Sequence, residues 1–326
     1  MKCIDKLRGL KCNLLCICVV CCIIFSGCAK KDVTAISEYE ATTYTDIVKP
    51  KGFFSQDLAV VSEDVDEVGF TPSPDVYATG LFDINQEKVL FGHNMFEKTY
   101  PASTTKIITA YVALKYGNLD DIVTITLEDV DLPAYSSVCN IEVGDQVTLY
   151  DLIVGLLLKS GNDNAMAIAN YISGDTVTFA ELMTSEAHLL GATSSHFMNP
   201  HGLHDPEHYT TVYDLYLMFQ ACIQDERFLD IIQLRSYDTV IKNEAGEERE
   251  VSWHATNGYL SGKFESPDNV EIIGGKTGYT DEALNCLVLL EEDNNQNPYI
   301  SIVMGAHGGG LLYNEMTAMV ETIPVT

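Results

Sequence analysis

Residues 101–107 read Pro101-Ala102-Ser103-Thr104-Thr105-Lys106-Ile107, and the chain changes character there. Before this stretch the pattern is extended; after it the pattern is helical. Proline's fixed φ suits the first turn of a helix, and Ile107, Ile108, Tyr111 and Leu114 then recur at helical spacing. Residues three apart on a helix share a face, with Cβ atoms about 5 to 6 Å apart, so Lys106 is expected to reach the Ser103 hydroxyl.

Upstream, residues 77–83 and 88–91 read as short strands around the polar turn Ile84-Asn85-Gln86-Glu87. Downstream, Thr148 with Asp151 forms a capping signal ahead of Leu152, Ile153, Leu156 and Leu157. Ser160-Gly161 breaks that helix, and residues 163–172 restart it with Ala165, Ile168, Ala169 and Ile172 on one face. Thr211 and Asp214 cap a further helix through Leu215, Met218, Phe219 and Cys222. Beyond Tyr237 the period shortens: residues 237–242 and 247–251 flank a turn, as do residues 287–290 and 299–304, and a helix over 311–322 closes the chain. Strands at both ends with helices between them imply an α+β fold, one antiparallel β-sheet flanked by helices with an inserted all-helical lobe.

Three short motifs follow in order: Ser103-Thr104-Thr105-Lys106, Ser160-Gly161-Asn162 and Lys276-Thr277-Gly278. Taken singly they are poor evidence, since Ser-x-x-Lys or Ser-x-Asn arises roughly once by composition in a chain of this length, and a serine opening a helix is more often a cap than a nucleophile. Position sharpens them. The first opens a helix, the second sits in a break between helices, and the third begins the strand-rich C-terminal part. A serine hydroxyl needs a base to become a nucleophile, and a lysine serves only when burial or a second cation keeps it neutral; Lys276 could be that cation.

Here the sequence resembles the D-alanyl-D-alanine carboxypeptidases among the low-molecular-mass penicillin-binding proteins, relatives of the serine β-lactamases with the same β-lactamase/transpeptidase-like fold. The likeness spans residues 77–320. It includes Asn199-Pro200-His201-Gly202-Leu203, Tyr209-Thr210-Thr211 and Gly275-Lys276-Thr277-Gly278-Tyr279-Thr280 besides the three motifs. The resemblance implies a serine peptidase that removes the terminal D-Ala from peptidoglycan stem pentapeptides and is acylated by β-lactams, without cofactor or metal. It implies Ser103 as nucleophile, Lys106 as base, Ser160 as proton relay and Asn162 as the group holding Lys106 and the substrate amide. It assigns the terminal carboxylate to Lys276 and Thr277, close strand approach to Gly278, and an oxyanion hole to the backbone N–H groups of Ser103 and Tyr279. Leu284 and Asn285 stand where such sequences often have a glycine, so strand geometry there is expected to differ.

Rival readings carry less. Class A β-lactamases add a glutamate in a Glu-x-x-x-Asn loop, and no such spacing is expected between Asn162 and Lys276. His196, His201, His204 and His208 crowd together as potential metal ligands, yet His201 belongs to a family-like loop and no His-Glu-x-x-His helix accompanies it. A muropeptide or β-lactam sensor without turnover would retain the same motifs.

Residues 1–27 read as an export signal: Lys2, Lys6, Arg8 and Lys11 precede an apolar run that ends at Ser26-Gly27-Cys28. That run is too short to span a bilayer. Small residues before a cysteine resemble a lipobox, so Cys28 is expected to carry a lipid and anchor the chain to the outer face of the bacterial cell membrane. Residues 29–69 lack periodicity and are expected to form an acidic tether, leaving 70–326 as the catalytic domain. The sequence ends soon after the last helix, so the extra β-domain and amphipathic anchor of many relatives are expected to be absent, with the lipid in their place. Six cysteines fall within the signal; Cys139, Cys222 and Cys286 form no disulfide framework or metal pair. A formal charge of −28 repels nucleic acid.

Overall fold

The computed structural model describes residues 57–324, and Asp57–Thr326 forms one unit. The expected signal, Cys28 and residues 29–56 of the expected tether lie outside the described residues. Among the described residues no helix is long and apolar enough to cross a membrane.

Strands β1 (Ala78–Asp83), β2 (Lys88–His93), β7 (Val270–Thr280), β8 (Leu284–Asp293) and β9 (Pro298–Ala306) form a five-stranded antiparallel sheet in the order β2-β1-β9-β8-β7. The chain opens with the two strands at one side of the sheet, leaves for about half its length, and returns to finish it. β8 shows why the sheet is central. Cys286, Val288 and Leu290 face one apolar cluster, while Leu287 and Leu289 face another, the alternation expected of a strand buried on both sides.

Helix α1 (Lys106–Tyr116) follows a 3-10 turn over Ala102–Thr105. After it come α2 (Leu127–Val130), α3 (Leu149–Val154), α4 (Asn162–Ser173), α5 (Thr176–Leu189), α6 (Val212–Cys222), α7 (Glu226–Ile232) and α8 (Gly309–Val320). α1 and α6 bury their apolar residues in the first cluster, and α8 buries Leu312, Met316 and Met319 in the second. Phe82 of β1 stacks on Tyr216 of α6 at 4.0 Å between ring centroids.

Two expectations need correction. The lobe inserted between β2 and β7 is not all-helical: β3 (Ile122–Thr124), β4 (Asp145–Thr148), β5 (Ser236–Asn243) and β6 (Glu248–His254) form a second, four-stranded antiparallel sheet. β3 and β4 are too short to show a period of two. The tether also stops short of residue 69. Ala59 is buried, its N–H bonded to the Tyr216 hydroxyl at 2.8 Å and its carbonyl accepting from Tyr213 at 3.0 Å. Asp64 accepts from the backbone N–H groups of Asn94 and Met95, and Val65 and Glu67 bond the backbone of β2. Residues 57–69 therefore cover an otherwise open sheet edge, and polar composition concealed it.

Candidate active site

The three motifs converge on a cleft of about 730 Å³ between the sheet edge and the inserted lobe, with Ser103, Ser160, Asn162, Thr277, Gly278 and Tyr279 in its lining. Ser103 lies in the 3-10 turn rather than in the α-helix itself. The preceding Ala102 has φ +46°, a left-handed conformation that a residue with a Cβ adopts only when its surroundings impose it. Those surroundings are visible. The Thr105 hydroxyl donates to Ala102 O at 2.7 Å, and His208 Nε2 lies 2.8 Å from Thr105 Oγ1. Met198 N–H donates to His208 Nδ1 at 3.0 Å, which fixes the tautomer with the proton on Nε2. Gly202 crosses above at φ +88°, where a Cβ would stand 1.9 Å from Ala102 O; glycine is obligatory there.

Lys106 is buried and has three neighbours at hydrogen-bond distance: Ser103 Oγ at 2.9 Å, Asn162 Oδ1 at 2.8 Å and His201 O at 2.7 Å. The last two can only accept. A neutral amine has two N–H bonds and one lone pair, so these acceptors take both N–H groups and leave the lone pair for the Ser103 hydroxyl. Electrostatics favour that state. Burial pushes the Lys106 ammonium well below its ordinary range and the Lys276 cation pushes it further; Asp163 opposes them. Burial lowers Lys276 to about 7.

Ser160 ends a π-helical segment, Gly155–Lys159, that continues α3, and it sits in a left-handed conformation at φ 66°. This break turns the chain so that Asn162 begins α4 facing Lys106. Asp163 holds the opposite wall by accepting from the N–H groups of Cys139, Ile141 and Asn164. Trp253 of β6 donates to Cys139 O at 3.2 Å, so the second sheet braces the rim bearing Ser136 and Ser137. Lys276 Nζ bonds Ser160 Oγ at 2.9 Å and Thr277 O at 2.8 Å, joining the second motif to the third.

β7 is an edge strand, so one side of its backbone is open to an extended peptide. At Gly278 a Cβ would stand 3.0 Å from both Pro101 O and Ser103 N; its absence lets the strand lie against the turn that carries Ser103. Leu284 has φ 58°, the conformation for which glycine is the usual choice, so the sequence departure noted there is carried as local strain.

The structure thus brings together Ser103, Lys106, Ser160, Asn162, Lys276, Thr277, Gly278 and Tyr279, whereas Cys28 lies outside the described residues. The sequence reading missed the His201 carbonyl, the His208–Thr105 support and the Asp163 brace. Asn199-Pro200-His201-Gly202 carried the signal for the first, but a backbone carbonyl leaves no mark of its own in side-chain chemistry. The histidine cluster disperses: burial lowers His201 and His208 each to about 3, and Leu203 N–H occupies His201 Nδ1. Among the described residues no group of three or more His, Cys, Asp or Glu is placed to hold a metal. A Glu-x-x-x-Asn spacing does occur before Lys276, contrary to expectation, at Glu265 and Asn269. Neither residue lines the cleft, and Asn269 bonds the carbonyl of Val320.

Residues 72–308 match the D-alanyl-D-alanine carboxypeptidase family of peptidases, S11. The chain is 34% identical over 253 residues to D-alanyl-D-alanine carboxypeptidase DacC of Escherichia coli K12, covering 75% of this chain and 60% of that protein. It is 31% identical over 260 residues to DacB2 of Mycobacterium tuberculosis, covering 78% and 84% respectively. The crystal structure of the Streptomyces K15 DD-transpeptidase superposes with a TM-score of 0.71 at 26% identity, covering 78% of this chain and 98% of that one. The chain spans about 60% of the length of several curated relatives it matches. By the match over most of its length and by these relatives, the chain belongs to the S11 family of D-alanyl-D-alanine carboxypeptidases.

Proposed function

We propose that the protein is a serine D-alanyl-D-alanine carboxypeptidase that removes the terminal D-Ala of peptidoglycan stem pentapeptides through an acyl-enzyme, and that β-lactams acylate the same serine. One observation carries this reading: buried Lys106 Nζ lies 2.9 Å from Ser103 Oγ with two acceptors, Asn162 Oδ1 and His201 O, on its other sides, so that a neutral amine turns its lone pair to Ser103.

In the first half-reaction the Ser103 proton passes to Lys106 Nζ as Oγ bonds the carbonyl carbon of the penultimate D-Ala. The carbonyl oxygen becomes an oxyanion held by the N–H groups of Ser103 and Tyr279. The proton then reaches the amine of the departing D-Ala through Ser160 as the C–N bond breaks. Water attacks the ester and Ser103 is restored. Asn162 steadies Lys106 and the substrate amide. Lys276 and Thr277 receive the terminal carboxylate, whose charge draws a proton back onto Lys276, and Gly278 lets the peptide lie along β7. The chemistry calls for no cofactor or metal.

The same reading makes residues 1–27 an export signal and Cys28 a lipid-bearing membrane anchor, with a tether ending near Asp57 and the catalytic body facing the wall outside the cytoplasm. Replacing Cys28 by Ala should then leave uncut precursor. For the chemistry, intact-mass measurement after benzylpenicillin should show one stable adduct, located on Ser103 and lost in Ser103→Ala. No adduct, or one on another residue, would overturn the proposal.

A further inference from the structure

A second cavity, of about 820 Å³, adjoins the active-site cleft, within the size range of small-molecule sites. Glu282 lines both spaces. The partition consists of the β7–β8 turn and a pair of rings: His204 faces the cleft, Tyr100 faces the second cavity, and they meet edge-on at 4.6 Å. None of the chemistry proposed for Ser103 uses this space.

Its lining is held in place. Tyr77 is 45% exposed, yet its backbone is fixed by Asn94 Nδ2 donating to its carbonyl at 2.8 Å and by its own N–H bonding Met304 O at 3.2 Å. Gly305 passes beneath at φ +72°, where a Cβ would stand 2.6 Å from that of Tyr77. Lys98 Nζ rests 3.7 Å from the centroid of the Tyr209 ring and enters no ion pair among the described residues. Glu207 and Glu282 add acceptors. Aromatic rings carried on a fixed backbone beside carboxylate, amide and ammonium groups suit a pyranose: its C–H face packs on a ring while its hydroxyl and acetamido groups bond the polar rim.

The direction of the substrate selects the ligand, and this step rests on the function proposed above. With the terminal carboxylate at Lys276 and Thr277 and the reacting carbonyl at Tyr279 N–H, the rest of the peptide runs along β7 toward Thr280. At about 3.4 Å per extended residue, three or four residues carry it past Asp281 and Glu282 to the second cavity. A stem peptide ends there on an amino sugar. We propose that this cavity binds the N-acetylated amino sugars of the glycan strand that bears the stem peptide.

Isothermal titration of the full chain with the peptide-free disaccharide of N-acetylglucosamine and N-acetylmuramic acid reads the cavity without any turnover. Saturable binding is expected, weakened at least tenfold by Tyr77→Ala and by Glu207→Gln. Kinetics supply the second reading: kcat/KM for a disaccharide-linked pentapeptide should exceed that for the free pentapeptide about tenfold, and Tyr77→Ala should erase the difference while leaving free-peptide cleavage unchanged. Absence of saturable binding, or binding equal in the wild type and both variants, overturns the assignment. Sugar binding by a chain that cleaves no pentapeptide supports the cavity and overturns only the carboxypeptidase reading.

Discussion

Replacing Asn162 by Asp changes one atom and places a carboxylate where a neutral acceptor now lies 2.8 Å from Lys106 Nζ. At the effective dielectric constant of about 20 that suits such sites, a full ion pair at this distance is worth about 6 kcal/mol before the new carboxylate's desolvation is subtracted. If only half survives that subtraction, about 3 kcal/mol still favours protonated Lys106, enough to remove its lone pair from all but about one molecule in a hundred relative to the wild type. Penicillin acylation of Asn162→Asp at neutral pH should therefore slow at least a hundredfold. The sign of the pH dependence follows: below the raised lysine pKa each added pH unit restores neutral amine about tenfold, so the rate of the variant relative to wild type should climb with pH. Stopped-flow acylation from pH 6 to 10, with a thermal melt to establish folding, makes the measurement. A folded variant with the wild-type pH profile would refute Lys106 as the base.

Lys106→Arg should be as inactive as Lys106→Ala, a loss of about 10² to 10⁴ in labelling and turnover, because guanidinium cannot accept a proton at neutral pH; Lys276→Arg should retain more activity than Lys276→Ala in the same assays. Since burial lowers Lys276 to about 7, free enzyme loses this cation as pH rises through that value, so pentapeptide kcat/KM should fall on the alkaline side while kcat holds to higher pH, and Lys276→Arg should abolish that limb. Gly202→Ala drives a Cβ to 1.9 Å from Ala102 O at φ +88°; it should reduce penicillin labelling at least tenfold and destabilise the fold by about 2 kcal/mol or more, read by denaturant titration. A chain beginning at Val76 loses the arm that bonds Tyr216, Tyr213, Asn94 and Met95, and its Tm should lie about 6 to 12 °C below that of a chain beginning at Asp57, corresponding to about 3 kcal/mol.

The parts that were legible in the sequence are those in which a residue's own chemistry dictates its place. Thr148 and Thr211 cap their helices through the N–H groups of Asp151 and Asp214, as their spacing implied. Ser160 stands at the helix break its motif suggested, and Lys106 and Asn162 meet although 56 residues separate them. What escaped depended on tertiary company. α5 opens on Asp175 and carries Thr176, Thr178 and Thr184, so β-branched and polar residues masked a helix whose Phe179 and Met183 are buried in the core. β3 and β4 are strands only because they pair with each other and with β5. The N-terminal arm is polar because it lies on a surface, and its order comes from β2 and α6 rather than from its own pattern.

The most direct test of the central claim is release of D-alanine from a synthetic stem pentapeptide ending in D-Ala-D-Ala, followed by mass spectrometry with the full chain and with Ser103→Ala. The wild type should yield tetrapeptide and one equivalent of D-alanine per bond cleaved, penicillin should stop the reaction in proportion to Ser103 acylated, and Ser103→Ala should yield neither product. Pentapeptide left intact by folded, penicillin-labelled wild type, or cleavage that survives the loss of Ser103, would contradict it.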